Sequence, residues 1–402
     1  MILQNSAMHP TTHRPIPRHT HRFKQLGVLG AFGVLAVASS PAAAQSRTPK
    51  LKTYETKYYI LHTDLDTETV QEATLRITLM AEEYRARTKG LAGTIKERLP
   101  FYLFKERSAY EAAGGEKGTD GMFTGDKLVA LANPKHPDAT WRVVQHEGFH
   151  QFVLAAIGPK LPIWANEGLA EYFGLGRFTG DQFIVGLIPP ARLARVKEGI
   201  AARRFKSLRA MLQMSQDEWN SNFKAENYDQ AWSMVHFLAV AENGKYQRAF
   251  VDFLADVSHQ LDWDQAWTKR FGKDVDAFQK RWAEYWTGLP DDPTADLYAQ
   301  VIASTLTSFY ARAFSQRQYF DKIEDFFAAA EHGRLKAHQQ DWLPPSLLRD
   351  ALEAAPHVGT WSLEHKPGQR LLLCRTNAGT LLEGSFKIEN GRVQSVAVHV
   401  RR

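Results

Sequence analysis

Two imidazoles four residues apart constrain this chain more than any other feature. They lie in His146-Glu147-Gly148-Phe149-His150, within a run whose apolar residues Val144, Phe149 and Val153 recur at helical spacing. On a helix, positions i and i+4 project from one face, so both imidazoles can reach a single cation. Pro137-Asp138 places an N-cap candidate before the run, and Gly158-Pro159 ends it. A second helix is expected from near Pro162 through Trp164, Leu169 and Phe173, stopped by Gly174 and Gly176. The break between the two lets the chain turn back so that Glu167 faces the histidine pair, with Glu171 one turn further along the same face.

These residue types in this order point to metal chemistry. Zinc accepts imidazole nitrogens and a carboxylate oxygen in tetrahedral geometry, and two His with one Glu leave a fourth position for water, the catalytic rather than the structural arrangement. His146, His150 and Glu167 are therefore the candidate Zn2+ ligands. Glu147 is placed to take a proton from such a water, and Glu171 to accept the free N–H of a ligand imidazole and so fix its tautomer. The competing readings are plain ones: polar residues on a core helix for the histidines, a solvated face for the two glutamates. Gly148 is unfavourable in mid-helix, and close approach of the second helix or of a substrate chain is its expected reason. The sequence has no Gly-x-Ser-x-Gly elbow, Walker-type loop or paired-cysteine metal pattern.

The stretches Gln145 to Gln151 and Pro162-Ile163-Trp164-Ala165-Asn166-Glu167-Gly168-Leu169-Ala170-Glu171-Tyr172-Phe173 resemble the gluzincin zinc metallopeptidases, and most closely the peptidase-MA-like family of bacterial exported proteins. The weaker part of the resemblance extends from about residue 55 to 290. It implies a gluzincin-like core with zinc ligation by His146, His150 and Glu167, a general base at Glu147 and support of the ligands from Glu171. Gluzincin aminopeptidases steady the oxyanion with a Tyr on a later helix. Asn227-Tyr228-Asp229-Gln230-Ala231-Trp232 resembles that segment, which makes Tyr228 the candidate; simple aromatic packing at a helix start is the alternative. Those aminopeptidases also carry Gly-x-Met-Glu-Asn before the zinc helix, whereas this chain has Gly121-Met122-Phe123-Thr124-Gly125-Asp126, with no Glu. The departure favours an endopeptidase, and the apolar run Leu128 to Leu131 is expected to offer an edge for an extended peptide.

The first 44 residues read as a signal peptide: Arg14, Arg18, Arg22 and Lys24, an apolar run from Leu26 to Ala38, then Pro41-Ala42-Ala43-Ala44. The run is short for a bilayer span, and an uncleaved anchor is the alternative. This segment holds four of the 50 Lys and Arg and none of the 44 Asp and Glu, so the remainder has a net charge of only +2, which speaks against a nucleic-acid partner. Cys374 is the single cysteine, so no intramolecular disulfide can form, and its apolar neighbours make it a buried strand residue. Export to a periplasm or cell envelope, or secretion, is the expected localisation.

The expected fold class is α+β, mainly helical, with an N-terminal α/β portion (45–135) and a helical zinc-site portion (136–290). A helical extension (291–357), after a linker at Gly288 to Pro293, and a small antiparallel β meander (358–402) complete it. Strands near Tyr58 to His62 and Leu99 to Phe104 flank a helix carrying Val70, Ala73, Ile77, Met80 and Tyr84, and a strand or hairpin lies at Met122 to Ala132. No membrane span is expected after the signal. The partner is a peptide or protein substrate; in the rival reading, a catalytically silent zinc-binding scaffold meets a cell-envelope partner through its C-terminal modules.

Overall fold

The computed structural model describes residues 50–221, 224–366 and 369–401; the signal-peptide segment lies outside these described residues. The chain is α+β, and about 53% of the described residues are helical. It opens with β1 (Lys52–Glu55), β2 (Tyr59–Thr63), α1 (Thr67–Arg87), β3 (Leu99–Phe104), α2 (Arg107–Ala112), β4 (Gly121–Phe123) and β5 (Leu128–Leu131). These strands form one sheet in the order β1-β2-β3-β5-β4. The centre pairs are parallel, β2 with β3 and β3 with β5, and both outer strands run antiparallel to their neighbours. Asp66 starts α1 by accepting a hydrogen bond from the Thr69 N–H, and the apolar positions foreseen for this helix are all buried.

The sheet order corrects one expectation. Leu128–Leu131 is an interior strand, paired on both sides by β3 and β4 and buried at Leu128, Val129 and Ala130. Parallel centre strands are covered on both faces and read as continuous apolar runs, so the apolarity marks burial rather than an edge. The edge on this side of the sheet is the shorter, less apolar β4, with β1 at the opposite edge.

Next come α3 (Pro137–Ala156) and α4 (Ile163–Gly174), then β6 (Arg177–Phe178), β7 (Phe183–Ile184), α5 (Pro190–Ala201), α6 (Leu208–Leu212) and α7 (Gln216–Ser221). The helical portion closes with α8 (Ala225–Gly244), α9 (Gln247–Ser258), α10 (Trp263–Phe271) and α11 (Val275–Gly288). Asp138 is not the cap of α3. His136 holds that position without a side-chain cap bond, while Asp138 sits in the first turn and accepts from Arg177 at 3.1 Å. Helices α3, α4, α8 and the sheet share one large core, in which Trp164, Trp219, Trp232, Trp267 and Trp286 are fully buried.

A second core gathers α12 (Ala295–Ser315), α13 (Ile323–Glu331), α14 (Pro345–Val358) and the antiparallel strands β8 (Gly359–Lys366), β9 (Gln369–Thr376), β10 (Leu381–Glu389) and β11 (Arg392–Val400). The strands lie in the order β11-β10-β9-β8, a meander. Asn390 and Gly391, both at positive φ (51° and 73°), make the tight turn between β10 and β11. Cys374 is buried here, and burial pushes its thiol up to about 12. The second core reaches back across the Gly288 to Pro293 segment: Ile184 and Leu187 pack into it, and Arg312 binds Asp181 through both terminal nitrogens at 3.0 and 2.9 Å. Among the described residues no helix is long and apolar enough to cross a membrane.

Candidate metal centre

Helix α4 comes close to α8 because a small residue lets it. A Cβ on Gly168 of α4 would lie 2.5 Å from the Ala231 carbonyl oxygen of α8, so α4 is pinned between α3 and α8. Gly148 of α3 has a different reason from those expected: a Cβ there would meet Met80 Cε of α1 at 2.9 Å. The approach comes from α1, on the side of the helix away from His146 and His150.

The resulting geometry brings three ligand atoms together. His146 Nε2 and His150 Nε2 are 3.3 Å apart, and Glu167 Oε2 is 3.6 Å from the first and 3.7 Å from the second. Among the described residues this is the one group of three His, Cys, Asp or Glu side chains placed to hold a metal ion. Ligand atoms at bond lengths of about 2.0–2.1 Å on a tetrahedral centre are about 3.3–3.4 Å apart, so the triangle fits zinc closely. The donor chemistry fits as well. Glu167 Oε2 is buried without a hydrogen-bond partner, a costly state for a carboxylate unless a cation sits against it.

Each imidazole turns its other nitrogen to a partner. His146 Nδ1 lies 3.4 Å from Glu171 Oε1, and His150 Nδ1 lies 3.2 Å from Asn166 Oδ1. Glu171 Oε1 and Asn166 Oδ1 accept, so both Nδ1 atoms carry protons, and a cation at the centre would displace the second proton of His146 and meet both Nε2 lone pairs. Burial alone would push the His146 imidazole down, but the Glu167 and Glu171 carboxylates hold it up at about 10. Glu171 is likewise held well below the usual carboxylate range: burial opposes this, and the Arg192 guanidinium supplies the main favourable charge.

Behind Glu171 lies a chain of charges that local sequence patterns do not reveal. Arg192 of α5 donates to Glu171 Oε2 and to the Tyr228 carbonyl (3.2 Å), contacts Asp229 Oδ1 at 2.9 Å, and stacks 4.4 Å from the Trp232 ring centroid. Arg195 grips the same Asp229 through Nε and Nη2 at 2.7 and 2.9 Å. Asn166 was within reach of sequence reading, since it directly precedes Glu167. Arg192 stands 21 residues after Glu171, beyond two strands, and no spacing announces it.

The remaining sequence candidates are placed as follows. Glu147 Oε2 accepts the Phe123 N–H of β4 at 2.9 Å, so the edge strand and the glutamate face each other. Tyr228 begins the second turn of α8; its hydroxyl accepts from Trp219 Nε1 at 3.3 Å, and the two rings pack edge to face. Burial and the charge of Glu167 raise its phenol. Asp126 lies in the exposed turn between β4 and β5 and accepts from the Thr124 hydroxyl.

No curated protein matches the chain. A family model described as a protein of unknown function, DUF1570, matches residues 140–264, which takes in α3 from Thr140 onward and with it His146, Glu147, His150, Glu167, Glu171, Arg192 and Tyr228.

Proposed function

We propose that this chain is an exported zinc-dependent peptidase that hydrolyses peptide bonds, an endopeptidase rather than an aminopeptidase, built on a gluzincin-like core. The observation that carries the reading is the triangle of His146 Nε2, His150 Nε2 and Glu167 Oε2, with sides of 3.3 to 3.7 Å and an otherwise unpartnered buried carboxylate oxygen. These three residues would hold the ion. When bound, zinc lowers the pKa of water and polarises a carbonyl.

The chain's own groups do the rest. Phe123 N–H holds Glu147 Oε2, so Oε1 is the oxygen that takes the proton from the attacking water and returns it to the leaving amine. Tyr228, kept protonated by burial and nearby carboxylates, supplies an O–H donor for the oxyanion. Glu171 and Asn166 keep the ligand rings in orientation. The acid nearest the matching position of an aminopeptidase, Asp126, is spent on Thr124 at an exposed turn, which supports internal cleavage.

The test uses purified protein lacking residues 1–44. It should contain about one zinc per chain by elemental analysis and cut peptides equally well with free or acetylated amino termini. Glu147→Gln should keep the zinc and lose activity by at least ~10²-fold. Zinc bound with wild type and variant equally inactive on a broad peptide library would leave a metal-holding scaffold; absence of zinc would sink both.

A further inference from the structure

Beside the triangle lies a cavity of about 170 Å³. Its walls are Phe123 of β4, His150, Val153 and Leu154 of α3, and Pro159 and Leu161 of the α3–α4 connection, with Asn166 at the ligand end. Apart from the ligand His150 no ionisable side chain lines it. The pocket is open to solvent on one side and polar at its ligand end, and its volume is near that of a closed cavity that takes a benzene-sized group, so it has room for a Leu, Met or Phe side chain. Leu154, 45% exposed, stands among the few large apolar side chains open to solvent, and it does so at this wall.

The direction of the neighbouring strand decides which substrate residue reaches the cavity. A Cβ on Gly121 would meet Val143 Cγ1, whereas Phe123 meets Glu147 and lines the cavity with Val153 and Leu154. Strand β4 and helix α3 therefore run the same way, from residue 143 towards residue 154. Asp120 and Thr124 bond inward to β5 through Leu131 and Lys127, so the alternate residues Gly121 and Phe123 turn their backbone groups to the free edge. That edge faces the candidate centre, as the Phe123 N–H to Glu147 bond requires. A peptide adding to it in the more stable antiparallel sense runs opposite to α3. Its amino-terminal half then lies over the cavity and its carboxyl-terminal half over Val143, where Gly121 offers no side chain in the way.

We infer that this cavity selects an apolar side chain on the residue that supplies the scissile carbonyl, so that specificity is set on the amino-terminal side of the cut. The inference rests on the peptidase reading, and the experiment separates the two. Zinc-loaded wild type digests a mixed peptide library, and mass spectrometry reads both sides of each cut. Zinc-loaded Glu147→Gln is titrated in parallel with fluorescent peptides differing at that one position. Phe, Leu or Met there should exceed Asp or Lys by at least ~10-fold in both kcat/KM and affinity, the usual discrimination of an apolar pocket. Leu154→Asp should lower both by a similar factor for apolar peptides and raise them for Lys, with zinc content unchanged. Cleavage selected on the carboxyl side, or a pattern that Leu154→Asp leaves unaltered, overturns the inference while the peptidase reading stands. No cleavage together with selective binding sinks the peptidase reading and keeps the cavity's selectivity; unselective binding overturns the latter.

Discussion

The molecule buries two clusters of charge, and they are finished to different degrees. In the C-terminal half, Arg312 donates to both oxygens of Asp181 and to the Asp341 and Ser308 carbonyls, while Asp341 takes two bonds from Arg392 and one from the Val393 N–H. None of these side-chain atoms is left unpartnered. In the helical half, His146, His150 and Glu167 converge with Glu167 Oε2 unpartnered, while Glu171 and Arg192 brace them from behind. A closed network holds elements together, here β6–β7, α12 and β11. The open one leaves Glu167 Oε2 unpartnered among three groups that could hold a metal ion. Incompleteness, more than burial or charge, separates the candidate site from the structural one.

Breaking the closed network should have the largest effect on folding. Arg312→Met removes both guanidinium bonds from Asp181 and the side-chain bond to the Asp341 carbonyl, while the Ser308 carbonyl keeps its helical N–H. The expected loss is about 3 kcal/mol, the low end for a broken buried pair because Asp181 keeps some contact with water. Urea unfolding measures it, and zinc content per folded chain should not change. A loss below about 1 kcal/mol would erase the contrast drawn between the clusters.

The open cluster should respond in affinity instead. Glu171→Gln keeps the size and an acceptor for His146 but removes the charge, so zinc should bind about 10- to 100-fold more weakly in a competitive chelator titration. Asp229 still pairs with Arg192 in this variant, which keeps the metal-free protein folded. Glu171→Ala is a poorer probe than the sequence suggests, since it also strips the buried Arg192 of a partner. Affinity equal to wild type would return Glu171 to a purely structural role with Arg192.

What the sequence shows of this site follows from helical period, and what it hides follows from chain separation. His146 with His150, and Glu167 with Glu171, are visible because i and i+4 share a face whatever the tertiary fold. Their meeting is inferable from the Gly158-Pro159 break. Arg192, the identity of β4 as the edge, and the α1 contact at Gly148 each depend on how distant segments pack. The C-terminal meander is readable because Asn377 to Gly379 and Glu389 to Gly391 are strong turn signals between alternating runs. The short helices α2, α6 and α7 escape, having too few turns to show a period.

The two glycines beside the site sharpen the same distinction at smaller scale. Gly168 faces backbone of α8, which cannot move aside, so Gly168→Ala should cost about 1–3 kcal/mol and loosen zinc binding by displacing Glu167. Gly148 faces the flexible end of Met80, and alanine is the better helix former by about 1 kcal/mol. Gly148→Ala should therefore stay within about 1 kcal/mol of wild type. Equal losses in thermal unfolding of the two variants would mean that α4–α8 contact does not set the position of Glu167.

The smallest expected effect comes from a buried imidazole that belongs to neither cluster. His236 of α8 is packed among Trp232, Tyr172 and Trp286, and its Nε2 lies 2.9 Å from the Gly186 carbonyl oxygen, so Nε2 carries the proton. Its Nδ1 is buried without a partner. Charging the ring places a proton at Nδ1 with nothing to accept it; burial, with added repulsion from Arg192, pushes the pKa down to about 4. The unfolded chain, with a value near 6.5, binds the proton more readily. The stability this group contributes is thus fully present above pH ~6.5 and drains away as the pH falls towards 4. Between pH 7 and 5.5 the loss should be about 1 kcal/mol. The His146 imidazole, held near 10 in the metal-free protein, works the other way over this interval, because its unfolded counterpart titrates there; that contribution is common to both proteins and cancels in their comparison. Urea midpoints of metal-free wild type and His236→Gln at the two pH values isolate the term: the variant should lose about 1 kcal/mol less than wild type. Identical pH dependence in both would mean that water reaches Nδ1 in solution, and that the aromatic wall around His236 opens more readily than its packing implies.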